Sequence, residues 1–183
     1  MNAYSDTQAI EEFGFHHTPK KEIEARIYSI QEKMVGASIE ALLIIQKMDL
    51  FYFSGTTQDS ILYLPVNGNP VLLVKRELNR AKSESPIKHT IPISSYKDIK
   101  PCLMDLYGHV PKTIGLEFDV LPVRDYLFLQ RIFSESQFSD ASRMIRNVRK
   151  IKSPLELELM KAAGQIGMKT YLKGTTLLRE GLT

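Results

Sequence analysis

The chain has 183 residues, a formal charge of +3 and 43% hydrophobic residues, which suits one domain, or one domain plus the first element of another. So small a charge does not by itself imply nucleic acid, the single Cys102 excludes an intramolecular disulfide, and no apolar run is long enough to cross a bilayer. A cytosolic protein without a membrane segment is expected, since Asp6, Glu11 and Glu12 stand where a signal peptide would carry a basic patch and an apolar run.

In chain order, Thr18 reads as a helix N-cap with Pro19 at the first helical position. Ile23, Ile27, Ile30 and Met34 then recur every three or four residues, and Gly36 reads as the stop. "ALLII", Ala41 to Ile45, lacks helical polar spacing and predicts a central strand covered on both faces. Apolar runs on either side of Asn67-Gly68-Asn69-Pro70 predict a hairpin and hence a mixed sheet. A short helix over Glu77 to Ser83 and a short strand in "KHTIPI" follow. Ile99, Cys102, Leu103 and Leu106 share one helical face. Thr113 to Phe118 reads as a strand, Pro122 opens a helix burying Tyr126, Leu129, Ile132 and Phe133, and "QFSDAS" returns to the sheet. The alternation implies an α/β sandwich with helices on both faces.

After a short helical turn over Ser142 to Val148 comes "KSPLE". Ser153 can cap, Pro154 takes the first helical position and Glu156 stands where a capping box needs it. Leu155, Leu159, Ala162, Ala163 and Ile166 make an apolar and small-residue stripe running toward Gly174, read as the C-cap of a helix of about twenty residues. That stripe needs a partner surface. The closing "TTLLREGLT" reads as a loop toward another capped helix, with Thr183 as its N-cap, and a longer parent chain is expected.

Three stretches together resemble the creatinase, prolidase and aminopeptidase P group of "pita-bread" metallopeptidases. "GASIEALLIIQKMDLFYFSGTTQDSILYLPVNGNPVLLV" is similar to the family's N-terminal domain, with its buried strand, its Tyr-hydrophobic-Ser/Thr-Gly turn and its hairpin. "KTIGLEFDVLP" resembles the later strand carrying Gly-hydrophobic-Glu, and "DASRMIRNVRKIKSPLELELMKAAGQIG" resembles the linker and first helix of the catalytic domain. The resemblance covers roughly Pro19 to Thr183. It implies a three-layer, ribonuclease H-like α/β domain with a mixed sheet over residues 19–148, preceded by an extension over 1–18. Residues 149–183 would be the linker and first helix of a pita-bread domain. It also implies two divalent metal ions, manganese, cobalt or zinc, held by two Asp, one His and two Glu downstream of this chain, with none of those ligands here. The expected function is that of an accessory domain shaping the active site and dimer of an Xaa-Pro dipeptidase or aminopeptidase P. The expected partners are its own catalytic domain, a second copy and a proline-containing peptide. An inactive relative serving as a peptide or histone binding module is the alternative.

In related enzymes the loop after the Tyr-x-Ser-Gly turn points across the dimer toward the partner's active site, which here implies a substrate-approach role for Gly55, Thr56, Thr57, Gln58 and Asp59. A polar turn joining Phe53 to the Ile61 strand is the plainer reading. The loop has no Arg, so creatinase itself is a poorer match. The remaining polar residues are read conservatively. His16 and His17 are a solvated pair, His89 and His109 have no ligand-spaced partner, and Cys102 is a small buried hydrophobe. Glu117, Asp119 and Asp140 at strand ends suggest a nuclease metal pair less than they suggest solvated or capping acids. Arg143, Arg146, Arg149, Lys150 and Lys152 lack interleaved aromatics and read as an interdomain connector rather than a nucleic-acid patch.

Overall fold

A computed structural model describes residues 17–177. They fall into two compact units that part between Val148 and Arg149.

The first unit begins with α1 (Lys20–Ala37), whose buried stripe is Ile23, Ile27, Ile30 and Met34. It starts at Pro19 rather than at Thr18, because the Pro19 carbonyl takes the Glu22 and Ile23 N–H groups and no side chain caps. It also passes through Gly36 and stops at Ser38, which adopts the left-handed conformation at φ 55°. β1 (Ala41–Ile44) is buried at every position, as its wholly apolar sequence demands. A helix that the sequence did not announce, α2 (Lys47–Ser54), follows and closes at Gly55 with φ 81°. β2 (Ser60–Pro65) and β3 (Val71–Val74) form the expected hairpin, with Tyr63 opposite Val71 and Gly68 at φ 103° in the turn.

Then come α3 (Leu78–Glu84), β4 (His89–Pro92), a 3₁₀ turn at Tyr96–Asp98 and α4 (Ile99–Tyr107). α4 buries Ile99 and Leu103, leaves Cys102 half-buried and exposes Leu106, so its inward face is narrower than the sequence suggested. β5 (Thr113–Leu116), α5 (Val123–Ile132), β6 (Gln137–Asp140) and α6 (Ser142–Lys150) complete the alternation. On α5 only Leu129 is fully buried; Tyr126 and Ile132 are half-buried, and Phe133 is buried just past its end.

The six strands form one mixed sheet in the order β4-β3-β2-β1-β5-β6, with β2 antiparallel to both neighbours and every other pairing parallel. Strand alternation divides the core into two layers. Leu42, Ile44, Leu62, Leu64, Leu72 and Val74 meet α1, α2 and α6, while Leu43, Ile61, Tyr63, Leu73, Ile114 and Leu116 meet α4 and α5. The result is the three-layer α/β sandwich expected from the alternation.

The second unit contains α7 (Pro154–Leu177). Its start is a true capping box: the Ser153 N–H donates to Glu156 Oε2 at 2.8 Å and the Glu156 N–H donates to Ser153 Oγ at 3.1 Å. Gly174 does not end it, and Thr175 to Leu177 are helical rather than a loop. None of its residues is buried; Leu159 and Ile166 of the predicted stripe are 43% and 46% exposed. Residues 1–16 of the extension expected over 1–18, with His16, and the closing residues 178–183, with Thr183, lie outside the described residues.

Candidate functional site

The carboxyl ends of the parallel strands β1, β3, β4, β5 and β6 line one edge of the sheet, the edge where open α/β folds place their ligand-handling groups. The antiparallel course of β2 brings its first residue, Ser60, to the same edge. The Gly55–Asp59 loop therefore arrives there from α2 and leaves into β2.

Glu84, at the last turn of α3, organises that loop. Thr56 Oγ1 donates to Glu84 Oε2 at 2.6 Å, Gln58 Nε2 donates to the same carboxylate at 3.3 Å, and Arg80 Nε donates to Oε1 at 2.6 Å. Burial pushes the Glu84 carboxyl up, but the donors Thr56, Arg80 and Gln58, with the Arg80 charge, outweigh it and hold the group below its ordinary range. The Ser54 backbone carbonyl meanwhile accepts from Ser85 Oγ, fastening the loop to the segment after α3 from a second side. Gly55 lies so close to the Glu84 carbonyl that a Cβ would stand 3.2 Å from it, and its φ of 81° would strain any side chain. Both constraints ask for glycine.

The five loop residues thus divide. Gly55 and Thr56 are buried and Gln58 is half-buried, whereas Thr57 and Asp59 are exposed. Asp59 lies 3.7 Å from Lys75 Nζ, and that ammonium sits 4.1 Å from the centre of the Tyr96 ring. The Tyr96 hydroxyl reaches Asp125, and burial first, then the Asp125 charge, pushes the phenol up to about 12, so it stays a donor at neutral pH. Exposed groups on the loop accordingly comprise a hydroxyl and a carboxylate beside a cation on an aromatic face. Glu84→Gln is expected to cost about 1–2 kcal/mol, because one charge-assisted acceptor serves three donors although Arg80 is largely solvated. Urea unfolding, with amide exchange at Thr57 and Asp59 rising in parallel, checks it; unchanged exchange would mean that Glu84 does not hold the loop.

The strand-end acids occupy the same edge but do not converge. Glu117 is 2% exposed, and its Oε2 accepts the Ile45 N–H at 2.8 Å and the Gln46 N–H at 3.0 Å. Asp119 pairs with Arg146, and Asp140 accepts from the Ser142 N–H and hydroxyl at the start of α6, contacts that hold its carboxyl below the ordinary range. The expectation of solvated or capping acids is thus correct for the capping and wrong for the solvation of Glu117. Among the described residues no group of three or more His, Cys, Asp or Glu could hold a metal ion, and no helix is long and apolar enough to cross a membrane. Of the basic cluster, Arg146 is engaged by Asp119, Arg149 has an interaction of its own, and Lys152 Nζ donates to the Lys150 carbonyl at 3.2 Å. His17 and His109 are exposed, and His89 sits on β4. Burial, first, and the charges of Asp98 and Asp105 push the Cys102 thiol up, away from a reactive thiolate.

Two surface hollows, one lined by Phe118, Leu121, Val123 and Tyr126 and the other by residues that include Glu40, Lys112 and Gln137, contain no residue of the loop.

Comparison with known proteins agrees with this architecture. A Xaa-Pro dipeptidase of Pyrococcus horikoshii is 28% identical over 158 residues, which are 85% of this chain and 43% of the relative. A peptidase of Staphylococcus epidermidis described as uncharacterized is 27% identical over 163 residues, 86% of this chain and 45% of the relative. The chain spans less than half the length of these curated relatives. Among solved structures, the prolidase of Pyrococcus horikoshii superposes with a TM-score of 0.75 at 24% identity, over 86% of this chain and 44% of that one. The creatinase/prolidase N-terminal domain of an X-Pro dipeptidase from Streptococcus pyogenes gives a TM-score of 0.58 at 24% identity, over 67% of this chain and 98% of that one. The family model for this domain matches residues 26–151. With all six strands, the Tyr52-to-Gly55 turn and the buried Glu117 inside that span, the chain belongs to the creatinase/prolidase N-terminal domain family.

Proposed function

We propose that this chain is the accessory N-terminal domain of a metal-dependent Xaa-Pro peptidase, a proline dipeptidase or aminopeptidase P, and that it shapes the active site and the dimer without performing the hydrolysis. The observation that carries this reading is the one-sided coverage: a Xaa-Pro dipeptidase matches 85% of this chain, and this chain accounts for 43% of that relative. In this reading residues 19–148 are the accessory domain, residues 1–18 an extension, and residues 149–183 the linker and first helix of a catalytic domain in the cytoplasmic parent. The capping box at Ser153 and Glu156 and the exposed Leu159 and Ile166 support that part, since a firmly started helix with bare apolar side chains is built to be covered.

A two-metal hydrolytic site needs several converging carboxylates around a bridging water. No such convergence exists among the described residues, and in this reading the two divalent ions are held by the catalytic domain. Within this domain Thr57 and Asp59 are the loop groups free to meet a peptide, the carboxylate attracting an ammonium terminus across the dimer, while Gly55, Thr56 and Gln58 hold the loop's shape.

The test is direct. The purified 183-residue chain, supplied with manganese or cobalt and an Xaa-Pro dipeptide, is expected to release no proline; metal-dependent turnover would place the chemistry in this chain and end the division of labour.

A further inference from the structure

The six-stranded sheet ends in two edges that are finished differently. At β4 the Ile93 N–H donates inward to the Val74 carbonyl, so alternation turns Thr90 and Pro92 outward, and Pro92 has no N–H to offer. A strand added there would miss a bond in mid-ladder. At β6 the Gln137 and Ala141 N–H groups donate inward to the Lys112 and Leu116 carbonyls, which turns the N–H and C=O groups of Phe138 and Asp140 outward. No backbone group among the described residues bonds to them, and the strand carries neither the Pro nor the Lys that blunts an edge.

The surroundings of β6 select what can pair with it. Glu135 and Arg143 stand equally far on either side of Ser139, both exposed, and neither forms an ion pair among the described residues. When a second β6 runs antiparallel with Ser139 opposite Ser139, Phe138 meets the partner's Asp140 as a hydrogen-bonded pair, and Asp140 meets the partner's Phe138. The same register sets each Glu135 against the partner's Arg143, so the ends of the strand complement their own copy in charge. α5 adds apolar surface beside this ladder. The Tyr126 ring lies 5.7 Å from that of Phe138, which seats α5 over β6, and Asp125 and Phe128 turn to Tyr96 on the inner flank of the helix. Its outer flank, bordering the open edge, therefore carries Val123 and Leu127, which are 72% and 46% exposed. A two-fold axis through Ser139 lays that flank toward its own copy.

We propose that β6 is the seam of a symmetric dimer in which the sheets of two chains join edge to edge. Pro92 at the far edge keeps the joined sheet from adding further copies, so association closes at two. The seam goes beyond the proposed function and draws on the sheet edge alone; a monomeric chain would leave the division of labour between domains untouched.

Sedimentation of the 183-residue chain over a concentration series is expected to show a monomer–dimer equilibrium. Glu135→Arg and Arg143→Glu each set like charges against one another twice across the seam and should weaken dimerisation about tenfold. The double variant, and an equimolar mixture of the two single variants, should recover it. In the unmodified chain the Phe138 and Asp140 amides should exchange more slowly as concentration rises, while the Thr90 amide on the other edge does not change. A chain that stays monomeric throughout the series, single variants that dimerise as the parent does, or a mixture that recovers nothing would each overturn the seam. So would a dimer whose Phe138 and Asp140 amides exchange as in the monomer, the result expected of pairing through α7; this arm needs no variant.

Discussion

Gly115→Ala is expected to destabilise the domain by about 1–3 kcal/mol, and Gly115→Val to leave no cooperatively folded chain. Gly115 is the middle of β5, paired with Leu42 on β1 and Ser139 on β6. Its Cβ would overlap Leu42 Cδ2 and would stand 3.0 Å from Ala141 Cβ and 3.3 Å from Ile39 Cγ2. Its φ is not in the left-handed region, so the requirement is for space and not for backbone freedom. Leu42 has nowhere to go, being sealed within the layer beneath α1 and α6, and the Ala141 methyl has no rotamer to change. A urea midpoint that falls at constant slope reports the loss. An alanine variant within 0.5 kcal/mol of the parent would show that this layer relaxes at little cost, contrary to its packing.

Phe53→Ala should cost more, about 3–5 kcal/mol, the range for emptying a sealed aromatic site. Phe53 has no exposed surface and meets the edge of Tyr52 with ring centres 5.0 Å apart. Tyr52 in turn lies 4.1 Å beneath the Arg26 guanidinium, and its carbonyl accepts from Arg26 Nη1 at 2.9 Å. Removing the Phe53 ring thus undermines the seat of α2 and the pairing of α2 with α1. Phe53→Leu, which keeps most of the volume, should lose well under half as much. Equal losses for the two variants would place the cost in the ring contact with Tyr52 rather than in the cavity.

Much of the fold was legible because single physical signals dominated it. "ALLII" is apolar without interruption, Asn67-Gly68 allows a tight reversal, and Ser153 with Glu156 specifies a helix start that the structure reproduces bond for bond. α2 escaped because "KMDLFYFS" has no apolar periodicity and is capped by Gln46, a residue outside the usual N-cap set, whose Oε1 accepts the Met48 and Asp49 N–H groups. Gly36 and Gly174 misled for a common reason: glycine permits a helix to end but does not compel it, and the neighbouring turns were stable enough to continue. At the site, the five loop residues Gly55 to Asp59 were singled out by the resemblance of the preceding turn to the family's Tyr-x-Ser-Gly turn. Their division into holders and exposed groups could not, since it depends on Glu84, more than twenty residues away and marked by nothing in its own neighbourhood. Glu117 was noticed as an acid beside a strand, but its burial is a property of α2 folding over it.

The order of the strands also carries a kinetic consequence. β2 and β3 pair across a five-residue connection, so their ladder can form within the time of a local hairpin. β1 must find β5 across about seventy residues, a closure that costs about 4 kcal/mol of chain entropy before any contact rewards it. The search ends where Gly115 lies against Leu42 with no room for a Cβ. A side chain added there would burden the step at which the two halves of the sheet meet, and newly made chains would wait longest with the apolar faces of β1 and β5 bare.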